Sequence, residues 1–259
     1  HYNSCRHRSC PQCAYIQVQK WLARQSARLL ATDHYHVIFT MPHELNPLWR
    51  YNTKLLTDLL FTCASETITE LLQDPKYLGA RPGIIASLHT WSKTLILHPH
   101  VHCLVTGGGL RDGQWVKLRR DYLFPFAVAS KLFKGKLLAQ LAQALTNGKL
   151  TIPADTNAAA LKKLLHRLWR KKWNVKIQDK YTHGQGVITY LARYLRGGPI
   201  ANRRIVQLNH DQVTFHVGRA QRQLLTLPIT EFIARFLQHL PQPSSVLIRS
   251  YGLYANATT

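Results

Sequence analysis

Apolar residues recur at helical spacing over residues 15–31, with Arg and Lys between them, and this predicts a basic amphipathic helix. Residues 34–40 (HYHVIFT) alternate with the two-residue period of a strand and stop at Met41-Pro42, after which 51–73 has the period and length of a long helix. Gly79, Pro82 and Gly83 punctuate the chain before a second strand at 84–91 (IIASLHTW). A third at 100–106 (HVHCLVT) is closed by Gly107-Gly108-Gly109, and the two read as adjacent antiparallel strands. Helices are expected at 126–146 and 158–172, the latter with Leu161, Leu164, Leu165 and Leu168 on one stripe. Beyond them come a short strand at 173–178 and a helix at 185–196 that ends at Gly197-Gly198-Pro199. Strands at 203–208 and 212–217 flank a polar turn at Asn209, and a last helix at 229–239 follows Pro228. The pattern holds no internal repeat, heptad or low-complexity tract.

Composition narrows the classes this pattern permits. With 46% hydrophobic residues over 259 positions, the chain buries enough apolar surface for one large domain or two modest ones, which excludes wholesale disorder. No run approaches the roughly 18 apolar residues of a spanning helix and no signal peptide opens the chain, so a soluble intracellular protein is expected. Lys and Arg number 34 against 12 Asp and Glu, a net charge of +22 that points to a polyanionic partner, nucleic acid first. The few carboxylates are scattered, which argues against nucleases that hold two metals with several of them and directs any metal to imidazole or thiolate.

Cysteine usage divides in two. Cys5, Cys10 and Cys13 carry zinc-like spacing, and the fourth ligand is His1, His7 or, as the favoured reading, a residue upstream of His1. Cys63 and Cys103 lie in apolar surroundings and read as small buried hydrophobes. Residues 1–31 therefore form a partial zinc-binding module with a basic linker helix, and 32–259 form the main domain, with a basic helical insertion around 120–172.

Two constellations carry candidate chemistry. In His98-Pro99-His100-Val101-His102, residues two apart on a strand share a face, so His100 and His102 are placed to grip one ion while Val101 anchors the strand. His34-Tyr35-His36 is a second such pair, and hydrogen-bonded core histidines are the plainer alternative for both. On a helix, Tyr190 and Tyr194 share a face and bring two phenol oxygens to one centre, unless the pair is a packing stripe.

The combination resembles the HUH endonucleases, named for a His-hydrophobic-His pair, and among them the two-tyrosine rolling-circle transposases of bacterial insertion sequences. The resemblance runs nearly the whole chain. It rests on SCRHRSCPQC at 4–13, YHVIFTMPHEL at 35–45, LHTWSKTLILHPHVHCLVTGGG at 88–109, YLARYLRGGPI at 190–200, LPITEFIARFLQHLP at 227–241 and IRSYGLYAN at 248–256. It implies an α/β (α+β) fold with a central, mainly antiparallel sheet flanked by helices, the HUH strand in its middle, the tyrosine helix across it and a small zinc module before it.

The implied activity is DNA transposition. Tyr190 or Tyr194 attacks a single-stranded transposon end, expels a 3′-hydroxyl and keeps the 5′-phosphate as an ester; the freed hydroxyl then primes replication or attacks a second phosphotyrosine. His100 and His102 become ligands of Mg²⁺ or Mn²⁺, and Cys5, Cys10 and Cys13 ligands of Zn²⁺. For a third ligand of the HUH ion, His89 is favoured because odd positions of 84–91 share a face beside the HUH strand; Gln185 and His98 are the rivals. The partners are single-stranded DNA of transposon ends and target, and the implied location is the bacterial cytoplasm at the nucleoid. A non-catalytic zinc protein that binds nucleic acid, and a relaxase or replication initiator with the same chemistry, are the competing readings.

Much of the positive charge reads as a surface that tracks DNA. Six of the thirteen residues from Leu161 to Trp173 are basic: Lys162, Lys163, Arg167, Arg170, Lys171 and Lys172. Arg193, Arg196, Arg203 and Arg204 flank the tyrosines as candidate clamps on the scissile strand, with a solvated face as the alternative. Trp91, Trp169 and Trp173 are candidates for base stacking or for the core.

Overall fold

The computed structural model describes residues 13, 15–119, 121–182, 186, 199–217, 223–242 and 245–255. In chain order the strands are β1 (His34–Thr40), β2 (Arg81–Trp91), β3 (Leu97–Arg111), β4 (Gln114–Lys117), β5 (Val175–Tyr181), β6 (Ile205–Leu208), β7 (Gln212–Val217), β8 (Gln223–Pro228) and β9 (Ile248–Gly252). The helices are α1 (Tyr15–Arg28), α2 (Asn46–Tyr51), α3 (Thr53–Gln73), α4 (Phe126–Thr146), α5 (Ala158–Arg170) and α6 (Ile229–Leu237). None of the described helices is long and apolar enough to cross a membrane. The chain divides into two compact units, one of Leu30–His89, Pro99–Val187 and Val246–Thr259, the other of His1–Leu29, Thr90–His98 and Ile188–Ser245.

In the larger unit a sheet runs in the order β5-β1-β3-β2-β9, with β4 added to β3, so the strand bearing His100 and His102 lies in the middle. The pairs β1–β3, β1–β5, β2–β9 and β3–β4 are antiparallel. This is the mixed α/β architecture, with a central and mainly antiparallel sheet flanked by helices, that the resemblance implies.

Alternation along β1 gives the sheet two different faces. Val37 and Phe39 are fully buried, and opposite them on β3 stand Cys103 and Val101. The Phe39 ring lies 4.9 Å from that of Phe133 on α4, which lies 5.7 Å from that of Trp173, so this face meets the helical layer. The opposite face carries His34, His36, Ile38 and Thr40, paired in register with Thr106, Leu104, His102 and His100. Polar imidazoles concentrate on one side of a sheet whose other side is apolar.

The strand over 100–106 proves longer than its alternation predicts. β3 begins at Leu97, carries Pro99 within it and passes through Gly107-Gly108-Gly109 to Arg111. The glycines do not end it, because strands crowd it there: a Cβ on Gly108 would sit 2.7 Å from the Trp115 ring and one on Gly109 2.5 Å from the Arg81 carbonyl. β4, β8 and β9 are also absent from the pattern-based expectation. β6 starts at Ile205, behind a single 3-10 turn at Asn202–Arg204.

α4 matches its expected span, and α5 ends two residues earlier than expected, at Arg170. α5 begins where the Asn157 side chain accepts from the Ala160 N–H at 2.9 Å, a regular helix cap. Leu161, Leu165 and Leu168 are buried on its inner stripe.

The smaller unit holds a three-stranded sheet in the order β6-β7-β8, antiparallel throughout. Its core is Leu95, Val213, Phe215 and Leu227, with Phe232 of α6 packed edge-on at 5.7 Å from Phe215. The basic helix predicted over 15–31 is α1, and its Leu22 is buried.

Candidate metal centre

Strand geometry alone brings three imidazoles together. His100 and His102 share a face of β3, and His89 stands on the neighbouring strand β2. One ring nitrogen from each of the three lies within 4.8 Å of the others. Ring centroids are 4.3 Å apart for His89 and His102, 4.8 Å for His100 and His102, and 5.5 Å for His89 and His100. Three donors bonded to one ion at about 2.1 Å stand about 3.0–3.6 Å from one another, so side-chain rotation of about an ångström would draw this set onto one cation.

The electrostatics suit a ligand set. His102 is 5% exposed and His89 7%. Burial, reinforced by the neighbouring His89, His100 and His36, drives the His102 imidazole far below its ordinary range and keeps it neutral, the state a metal ligand needs. His36 on β1 is fully buried, and its Nε2 lies 2.7 Å from His102 Nδ1. Burial lowers His36 to about 4 against the opposing effect of a hydrogen bond with the Gln178 side chain. The Tyr181 ring lies 6.4 Å from His36.

The second His-x-His pair thus divides its roles. His34 is tied to the Thr32 carbonyl through Nδ1 at 2.9 Å and to the Tyr254 hydroxyl through Nε2 at 2.6 Å, a structural clasp to the segment behind β9. His36 instead leans diagonally across the strand pair onto His102. Sequence reasoning singled out the pair without separating these roles; the signal was there in the shared parity of 34 and 36 on a strand facing the HUH pair.

Of the other expected ligands, His98 falls in the smaller unit, and Gln185 lies outside the described residues. So do Tyr190, Tyr194, Arg193, Arg196, Cys5 and Cys10, while Cys13 is described and partly exposed. All six basic residues around α5 are exposed: Lys162, Lys163, Arg167, Arg170, Lys171 and Lys172. The Lys171 ammonium pairs with Glu44, and Lys134 lies over the Trp169 ring at 5.4 Å.

The remaining arginine and tryptophan candidates separate once they are placed. Arg203 is exposed, but the Arg204 guanidinium donates to the carbonyls of His216 at 2.9 Å and Lys93 at 2.5 Å, so it is engaged in its own unit. Trp169 is 54% exposed and open to stacking. Trp173 is buried, with Nε1 donating to the Leu168 carbonyl at 3.1 Å, and belongs to the core. Trp91 is half-buried, its ring 6.0 Å from that of His239. Cys63 and Cys103 are buried small hydrophobes as expected; burial pushes the Cys63 thiol up to about 12 and Cys103 higher still.

Comparison with known proteins gives the family of the chain. A family described as "Putative transposase" matches residues 83–259, and one described as "Transposase zinc-binding domain" matches residues 1–41. The chain is 36% identical over 265 residues to "Putative transposase y4qJ" of Sinorhizobium fredii, covering 98% of this chain and 67% of that one. It is 30% identical over 273 residues to the "Transposase for insertion sequence element IS801" of Pseudomonas savastanoi pv. phaseolicola, covering 98% of this chain and 62% of that one. The chain thus spans about two thirds of the length of these curated relatives.

Proposed function

The chain belongs to this transposase family, and we propose that it nicks and rejoins single-stranded DNA at transposon ends through a 5′-phosphotyrosine intermediate. The observation that carries this reading is the convergence of His89, His100 and His102 from two strands into one donor set, with His89 and His102 buried and His100 half-buried. Three imidazoles beside a phosphate substrate fit Mn²⁺ or Mg²⁺, Mn²⁺ tolerating nitrogen donors better. When bound, that ion polarises the phosphoryl oxygens and offsets the charge that builds on them.

The protein's own residues do the rest. Tyr190 or Tyr194 gives up its phenolic proton, and its oxygen attacks the scissile phosphorus; the P–O3′ bond breaks and the 3′-oxygen takes up a proton. One phosphodiester is exchanged for another ester, so attack by a 3′-hydroxyl rejoins the strand without an external energy source. A second tyrosine permits a new cut before the first ester is resolved. Lys162, Lys163, Arg167, Arg170, Lys171 and Lys172 supply an exposed cationic track for the phosphate backbone, and Trp169 a ring on which an unpaired base can stack. Arg193, Arg196 and Arg203 steady the scissile strand. Cys5, Cys10 and Cys13 hold Zn²⁺ in the amino-terminal module. The chain works in the bacterial cytoplasm, at the nucleoid.

Cleavage of labelled single-stranded DNA from the ends of the element, with Mn²⁺ and with EDTA, tests this reading. Wild type should cleave only with the ion, and His100→Ala/His102→Ala should bind the DNA without cutting it. Binding without cleavage by the wild type would favour a non-catalytic nucleic-acid-binding protein.

A further inference from the structure

We infer that His36 is the positioning residue of the metal centre, fixing through one hydrogen bond which nitrogen of His102 faces the ion. The inference rests on the reading of His89, His100 and His102 as metal ligands, and it assigns a task to a residue outside that set.

An imidazole offers two nitrogens, and a metal takes only one. At His102 the geometry removes the ambiguity: Nδ1 lies 2.7 Å from His36 Nε2, a hydrogen-bonding distance, which leaves Nε2 for the cation. A metal-bound imidazole keeps its proton on the other nitrogen. His102 Nδ1–H therefore donates, and His36 Nε2 accepts. That assignment places the proton of His36 on its own Nδ1, and the Gln178 side chain is the other polar group that acts on His36.

The contact joins two adjacent strands of one sheet, β1 and β3, and their register sets its geometry. His36 stands diagonally across the β1–β3 register from His102, with ring centroids 5.0 Å apart and planes 27° from parallel. At 0% exposure His36 has no water to replace the bond. Ring orientation matters because His102 sits on a strand that is paired on both sides, so its backbone has little freedom to correct a rotated imidazole. Partners of this kind change metal affinity by roughly 10- to 100-fold when removed.

The test measures metal binding and needs no DNA. Mn²⁺ is titrated into the full chain and into His36→Phe, His36→Gln and Gln178→Leu, and free Mn²⁺ is followed by electron paramagnetic resonance. His100→Ala/His102→Ala gives the background from any other site. Absorption of the Co²⁺-loaded chain reports ligand geometry, and circular dichroism reports folding. His36→Phe should weaken Mn²⁺ binding about 10- to 100-fold and shift the Co²⁺ bands. His36→Gln, which returns an acceptor near the Nε2 position, should recover most of both. Gln178→Leu should produce a smaller loss in the same direction.

A folded His36→Phe with wild-type affinity and an unshifted Co²⁺ spectrum would overturn the inference. Equal losses in His36→Phe and His36→Gln would do so as well, since only packing would then be at work. Should His36→Phe fail to fold, wild-type affinity in Gln178→Leu would count against it. A wild type that binds no more Mn²⁺ than the double alanine chain would remove the metal centre itself, an outcome separate from the failure of His36 alone.

Discussion

Replacing Lys163, Arg167 and Arg170 with alanine should flatten the salt dependence of DNA binding by a definite amount. The three stand at i, i+4 and i+7 on the exposed side of α5, while Leu161, Leu165 and Leu168 hold the other side in the core, so the helix should survive the change. Of the six basic residues there, Lys171 is already paired with Glu44, which leaves five to neutralise phosphates. At about 0.7 of log-log slope per phosphate on a single strand, these five contribute about −3.5 to the slope and the two left in the triple alanine chain about −1.4, beside whatever Arg193, Arg196 and Arg203 add. Between 50 and 200 mM salt the wild type should therefore lose about 18-fold more affinity than the variant. Fluorescence anisotropy with a labelled oligonucleotide across that salt range measures both slopes. A variant that binds with the wild-type slope would show that this face is merely solvated and that the DNA tracks another surface.

Two further outcomes follow from the fold. Phe133→Ala removes a fully buried ring that bridges Phe39 and Trp173, and the loss should be about 3–5 kcal/mol in denaturant unfolding. A loss below about 1 kcal/mol would mean that the helical layer does not depend on that aromatic cluster. Glu44→Gln should blunt the acid sensitivity of stability. The hydrogen bond from Lys171 holds the Glu44 carboxyl below its ordinary value of 4.5, outweighing the opposing effect of burial. A depressed folded-state pKa favours the folded chain above the unfolded value, and that contribution is lost as pH falls below about 4.5 through the folded one. Unfolding midpoints at pH 7 and pH 3.5 should therefore differ less in the variant than in wild type; an equal difference would refute the assignment.

What the sequence made legible was set by local pattern. β1 is found at its predicted limits because HYHVIFT alternates cleanly, and α4 because its apolar period persists over twenty-one residues. His89 joined the candidate set by parity on β2 alone, and the structure brings it beside His100 and His102. Partner-dependent features stayed hidden. β9 is a five-residue strand whose identity depends on pairing with β2 more than 150 residues away in the chain. Three consecutive glycines read as a terminator, whereas neighbouring strands crowd that stretch so closely that side chains could not be accommodated at Gly108 and Gly109. The difference between His34 and His36 is likewise tertiary: one meets Tyr254 and the other meets His102, and no local rule separates them.

The central claim is that one of two tyrosines becomes covalently joined to a 5′-phosphate. The chain should be incubated with Mn²⁺ and single-stranded DNA from the ends of the element, digested, and the nucleotide-bearing peptide sequenced by mass spectrometry, alongside Tyr190→Phe, Tyr194→Phe and the double variant. The account predicts a phosphodiester on Tyr190 or Tyr194 that the double variant cannot form. An adduct that persists in the double variant, or strand cleavage with no adduct on any tyrosine, would contradict it.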